Sequence, residues 1–87
     1  MNDLTFTSEG FADYIYWQFE DRKTLRRINL LLEDIKRNGV LNGMGKPEKL
    51  KYEGAYSRRI DEQNRLIYKL NSIGDIEIVS CRGHYED

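Results

Sequence analysis

Eighty-seven residues with a net charge of −1 make room for one domain and one small core, so a single domain over residues 1–87 is expected. One cysteine, Cys81, excludes a disulfide framework within the chain and a cysteine-rich metal site. No apolar run approaches the length of a membrane span, and the opening Met1-Asn2-Asp3-Leu4 lacks the basic start of a signal peptide, so a soluble, cytoplasmic protein away from membranes is expected.

In chain order, Leu4-Thr5-Phe6-Thr7 alternates apolar and polar residues and predicts a first strand. Ser8 is the expected cap of a helix whose apolar face is Phe11, Tyr14, Ile15 and Phe19. Asp21 is the expected cap of a second helix, with Leu25, Ile28, Leu32 and Ile35 inward and Asn38-Gly39 at its end. Residues 39–55 hold four glycines and Pro47 and predict a loop. Three strand-like runs follow, Tyr56–Ile60, Arg65–Leu70 and Asp75–Cys81, joined by Asp61-Glu62-Gln63-Asn64 and Asn71-Ser72-Ile73-Gly74. The order β-α-α-β-β-β gives an α+β domain, a helical hairpin packed on a mostly antiparallel sheet.

A three-residue turn with Asn64 in the left-handed region sets Arg59 against Ile67 and Asp61 against Arg65. Both arginines then share one face, while Leu66, Tyr68 and Leu70 face the helices. A two-residue turn would split the arginines between the faces.

Charge is unevenly spread. Residues 46–69 carry seven bases against four acids, net +3, whereas residues 1–45 are net −1 and residues 70–87 net −3. This middle third is the expected site for phosphates and for an acidic partner segment. A small domain has little space for an enclosed cavity, so a shallow cleft suited to a polymer is expected.

Few residues can do chemistry here. The chain has one histidine and no paired metal-ligand motif, and no cofactor is expected. Gly43-Met44-Gly45-Lys46 is too short for a phosphate-binding loop. Cys81 lies within a strand run and is read as core. What remains is an acid, several bases and His84, which suffices for RNA cleavage by its own 2′-hydroxyl. Such a reaction needs a base for that hydroxyl, cations for the phosphorane and an acid for the leaving 5′-oxygen. The residues alone leave plainer roles open: a solvated acid, an exposed sheet face and a frayed tail.

Five pieces of the chain go further. They are Asp13-Tyr14-Ile15-Tyr16-Trp17-Gln18, Lys46-Pro47-Glu48-Lys49-Leu50-Lys51, Ser57-Arg58-Arg59-Ile60, Arg65-Leu66-Ile67-Tyr68 and Cys81-Arg82-Gly83-His84-Tyr85. Together, in this order, the chain resembles the YoeB family of toxins within the RelE/ParE superfamily. The resemblance implies a RelE-like, microbial-ribonuclease-like fold and ribosome-dependent cleavage of mRNA, with the 70S ribosome and mRNA as partners and a YefM-type antitoxin as inhibitor. A homodimer is compatible with it. It implies Glu48 as general base, His84 as general acid and Arg65 as the phosphate-stabilising arginine. Arg59, Lys51 and Tyr85 match substrate contacts, and Lys46 belongs to the same basic surface. Two alternatives are a ParE-like gyrase inhibitor and a degenerate toxin that only binds its antitoxin.

Overall fold

The computed structural model describes residues 3–51 and 54–84. The observed order is β1 (Leu4–Phe6), α1 (Ser8–Glu20), α2 (Arg22–Asn38), β2 (Glu48–Lys49), β3 (Ala55–Arg59), β4 (Arg65–Leu70) and β5 (Ile76–Ser80). These strands form one sheet in the order β1-β5-β4-β3-β2. Every pairing is antiparallel except β1 with β5. The mostly antiparallel sheet under a helical hairpin is as the sequence predicts. The addition is β2, a two-residue strand inside the predicted loop; a run that short, next to Pro47, has no periodicity to read.

Thr7, not Ser8, caps α1: its hydroxyl accepts from the Gly10 N–H at 3.0 Å. The same hydroxyl lies 3.0 Å from the Val79 carbonyl, so the cap also ties α1 to β5. Strand pairing already fixes Thr7 there, since its N–H donates to the Ile78 carbonyl at 2.9 Å. Asp21 caps α2 as expected, accepting from the N–H groups of Lys23 and Thr24 and from the Thr24 hydroxyl. Its own N–H closes α1 on the Trp17 carbonyl, which leaves no spare residue between the helices.

Of the expected inward face of α1, Tyr14 packs against the core, but the phenylalanines do not. Phe11 and Phe19 are 54% and 84% exposed, while Gly10 and Trp17 are buried. The reason is close approach: a Cβ on Gly10 would sit 2.3 Å from the Ile78 carbonyl oxygen. Where a helix lies this near a strand, the point of closest contact admits only a residue without a side chain. Trp17 completes that face by donating its indole N–H to the Cys81 carbonyl at 2.8 Å. Helix α2 follows expectation, with Ile28, Leu32 and Ile35 buried and Leu31 added. Full burial of each such side chain contributes about 1.5–3 kcal/mol.

The core lies between the helices and one face of the sheet, where Leu66, Tyr68, Ile76 and Ile78 meet Trp17, Ile28, Leu31 and Ile35. Leu70, expected to join them, is 41% exposed at the end of β4, although its pairing partner Ile76 is in the core. Cys81 is buried in this core, as read. Burial first, and the charge of Asp13 second, push its thiol up to about 12, so it holds its proton. The opposite face carries a small second cluster of Leu50, Ala55 and Ile67.

Arg58 is also fully buried on the helix side, which the sequence reading did not foresee. All five of its N–H donors are used. Nε donates to the Tyr68 hydroxyl, Nη1 to the Asp34 carboxylate and the Met44 carbonyl, and Nη2 to the carbonyls of Gly39 and Asn42. The Tyr68 hydroxyl donates in turn to the Val40 carbonyl at 2.6 Å. Asp34 accepts in turn from the Met44 N–H and the Asn38 amide. The N–H of Met44, with Arg58 and Asn38 behind it, outweighs burial and holds the Asp34 carboxyl below the ordinary carboxylate range. Residues 39–45 are therefore a loop wound round a buried cation.

Candidate functional site

Beyond that loop the chain enters the site. The Arg59 N–H donates to the Gly45 carbonyl at 2.7 Å, which pins the loop's end to β3. Lys46 then adopts φ 50°, the one non-glycine residue at positive φ among those described. Its conformation aims the chain into β2, where Glu48 pairs with Ser57. Directly paired residues share a face, so Glu48 and Ser57 sit on the side away from the helices.

The β3–β4 connection supplies the two arginines. Arg59 pairs directly with Arg65, and Ser57 with Ile67. The expected register is thus two residues out, and Asn64 is not in the left-handed region. The turn is longer than expected because Asp61 organises it: its Oδ1 accepts from the N–H groups of Gln63 and Asn64 at 2.8 and 2.7 Å. A slip of two keeps each side chain's face, so Arg59 and Arg65 share the open face as predicted. Burial opposes ionisation of Asp61. The hydrogen bonds from Gln63 and Asn64, with Arg65 nearby, more than offset it and hold the carboxyl below the ordinary range.

His84 arrives from the end of β5. The Arg65 N–H donates to the Gly83 carbonyl at 3.0 Å, and Arg65 Nη2 lies 3.3 Å from His84 Nε2. Arginine can only donate, so a hydrogen bond at this contact uses Nε2 as its acceptor. Arg65 Nη1 donates to the carbonyls of Asp61 and Asn64, which fixes the guanidinium against the turn.

Lys46, Glu48, Leu50, Ser57, Arg59, Arg65 and His84 line a single open cleft of about 270 Å³. Five of the residues singled out from sequence therefore meet: Glu48, Arg65, His84, Arg59 and Lys46. Lys51 is exposed and is not among the lining residues. Tyr85 lies outside the described residues. Ser57 and Leu50 were missed as cleft residues; the alternation Ser57–Arg59 along β3 is the signal that marks Ser57. Among the described residues no group of three His, Cys, Asp or Glu side chains could hold a metal ion.

The basic surface also needs redrawing. Arg58 counted towards the +3 of residues 46–69, yet it is buried and paired with Asp34. Helix α2 meanwhile carries six bases against Glu33 and Asp34. Averaging over residues 1–45 hid this, because α1 carries three acids and no base. The cleft is thus one of two basic regions. They adjoin at the end of β3, where Arg27 Nη2 donates to the Arg59 carbonyl at 3.1 Å.

The molecule is thus a small two-helix, five-strand α+β protein with one acid, one imidazole and three cations in an open cleft. The chain matches the model of the YoeB-like toxins of bacterial type II toxin–antitoxin systems over residues 6–85, and it belongs to that family. It is 48% identical to Toxin YoeB of Streptomyces coelicolor, over 94% of this chain and 98% of that protein. It is 40% identical to Toxin YoeB of Escherichia coli K12 over the same shares. Among solved structures, a YoeB dimer from Staphylococcus aureus superposes with a TM-score of 0.87 at 48% identity, covering 97% of this chain and 98% of that one. The toxin in a heterotetrameric YoeB–YefM complex from the same organism gives 0.85 at 47%, covering 98% and 99%. Escherichia coli YafQ, at 17% identity and a TM-score of 0.76, shares the fold.

Proposed function

We propose that this toxin is an endoribonuclease that cuts mRNA on the ribosome. The meeting of Glu48, Arg59, Arg65 and His84 in one open cleft carries the reading. Glu48 takes the proton of the 2′-hydroxyl, and the freed oxygen attacks the adjacent phosphorus. Arg65 and Arg59 donate to the phosphorane oxygens in the planar, charge-assisted way arginine allows. His84 gives a proton to the departing 5′-oxygen. The products are a 2′,3′-cyclic phosphate and a 5′-hydroxyl, and the attack needs no metal because RNA supplies its own nucleophile. An entering phosphate would meet Arg65 Nη2 beside His84 Nε2, 3.3 Å away, so the cation and the acid reach the same phosphate.

The Staphylococcus aureus relatives, solved as a YoeB dimer and as YoeB–YefM complexes, support two further assignments: a YefM-type antitoxin partner and self-association. An acidic antitoxin segment suits the cleft cations, with α2 as a second basic surface.

The test is cleavage of a defined mRNA on purified ribosomes, with the product ends identified. Glu48→Gln, Arg65→Ala and His84→Ala should each slow cleavage by about 10²–10⁴-fold, the usual range for a positioned proton-transfer or charge-stabilising group. Wild-type rates in all three variants, or products ending in 3′-hydroxyl, would overturn the reading.

A further inference from the structure

Asn64 and Arg65 hold the backbone immediately ahead of His84. The Asn64 amide faces two ways: Nδ2 donates to both carboxylate oxygens of Asp61 at 3.1 Å, and Oδ1 accepts from the Gly83 N–H at 2.8 Å. The Gly83 carbonyl meanwhile accepts from the Arg65 N–H. Gly83 is thus gripped on both sides by consecutive residues, Asn64 and Arg65, at the start of β4. It adopts φ 93°, so the chain turns sharply there and the next residue is His84. The remaining cleft residues stand on strands or directly follow a strand or the pinned loop. His84 stands on neither, and it is exposed.

We propose that Asn64 is a positioning residue for His84: an Asp61–Asn64–Gly83 latch sets where the imidazole sits relative to Arg65. The role rests on the assignment of His84 as the proton donor. Asn is suited to it because the latch needs a donor on one side and an acceptor on the other within one short side chain. Alanine supplies neither. Aspartate keeps the acceptor for Gly83 but sets a second carboxylate against Asp61. Exchanging the two, with Asn at 61 and Asp at 64, restores the donor–acceptor match. The amide oxygen at 61 can still accept from Gln63, and the bond from Arg65 Nη1 goes to the backbone carbonyl of residue 61, which the exchange leaves in place.

Two measurements on the full chain test this. Amide hydrogen exchange reads the latch directly. Asn64→Ala should lower the protection of the Gly83 amide by about tenfold, the loss of one hydrogen bond, and Asn64→Asp should lower it by less, since its carboxylate can still accept from Gly83 but is pushed away by Asp61. The Asp61→Asn/Asn64→Asp double variant should regain it. Single-turnover cleavage on saturating ribosomes reads the consequence. Asn64→Ala should slow the step by about 10–100-fold, as expected for a misplaced catalytic group, with little change in half-saturating ribosome concentration. The double variant should recover most of the rate. In a His84→Ala background the same Asn64→Ala change should be nearly silent, because the two residues act through one group. Unchanged Gly83 exchange, or an equal effect of Asn64→Ala with and without His84, would overturn the latch. A His84→Ala variant that cuts at the wild-type rate would instead overturn the assignment of the acid, while Gly83 exchange still decides whether Asn64 holds the tail.

Discussion

Arg58→Met is the most informative single change outside the cleft. The side chain is fully buried, and all five of its N–H groups are committed. Methionine fills much of the volume but leaves the Asp34 carboxylate and the carbonyls of Gly39, Asn42 and Met44 short of a donor. Breaking a buried ion pair by removing one partner costs about 3–5 kcal/mol. A domain of this size is stable by roughly 4–13 kcal/mol at typical values per residue. The loss is therefore a large share of the total. Trp17, the only tryptophan, is buried in the main core and gives a fluorescence probe of unfolding in urea. With a slope of about 1–1.5 kcal/mol per M for a chain this short, the midpoint should fall by roughly 2–5 M. Arg58→Met/Asp34→Leu should recover part of the loss, since the lone carboxylate is gone, but not all of it, since the loop carbonyls stay unpaired. A midpoint within about 0.5 M of wild type for Arg58→Met would refute the idea that this cation organises residues 39–45.

Two further changes test neighbouring claims. Gly43→Ala should destabilise the chain well beyond Gly39→Ala, as read by the urea midpoint: both glycines have positive φ, but only at position 43 would the new Cβ fall 1.9 Å from an Asp34 carboxylate oxygen. Equal effects at the two positions would show that backbone strain alone matters there. Stability should also fall in alkali. The Cys81 thiol is raised from 9.0 to about 12, and burial, opposed by Arg58, raises the Tyr68 phenol above 10.0. The folded chain therefore holds protons that the unfolded chain releases. Stability is complete below about pH 9 and is lost as pH climbs towards 12. Cys81→Ala should flatten the first part of that decline in urea titrations between pH 8 and 11, and an unchanged profile would refute the assignment.

Local signals in the sequence carried much of this structure. Period-3.6 spacing placed α2, the Asp21 cap was plain, and alternating runs placed β3, β4 and β5 within a residue or so. The shared face of Arg59 and Arg65 was legible although the register was not. Faces depend only on parity, whereas register depends on the turn, and the turn depends on how Asp61 folds its neighbours' N–H groups. What stayed hidden was decided by packing between distant segments. The inner face of α1 is set by how near β5 lies to Gly10, and no periodicity within residues 8–20 contains that distance. Arg58 looked like one more surface base beside Arg59. Its burial depends on Asp34, 24 positions earlier, and on carbonyls of a loop that has no regular structure.

That hidden node bears on the site. Helix α2 supplies Asp34, Asp34 and Arg58 shape residues 39–45, and the pinned end of that loop delivers Lys46 and Glu48 to the cleft. The other half of the cleft comes from the Asp61–Asn64 turn, which carries Arg65 and grips Gly83 ahead of His84. The proposed base and the proposed acid are thus placed by two networks that meet on β3 and β4, where Arg58 and Arg59 are consecutive and face opposite sides of the sheet, and Arg65 and Tyr68 share a strand. One network is buried and rigid, and the other is exposed and made of short polar side chains. Substitutions in the first should lower stability and activity together. Substitutions in the second should lower activity with the fold largely intact. A domain too small to enclose an active site can in this way hold an open cleft in order, by fixing one wall from the core and the other by a turn.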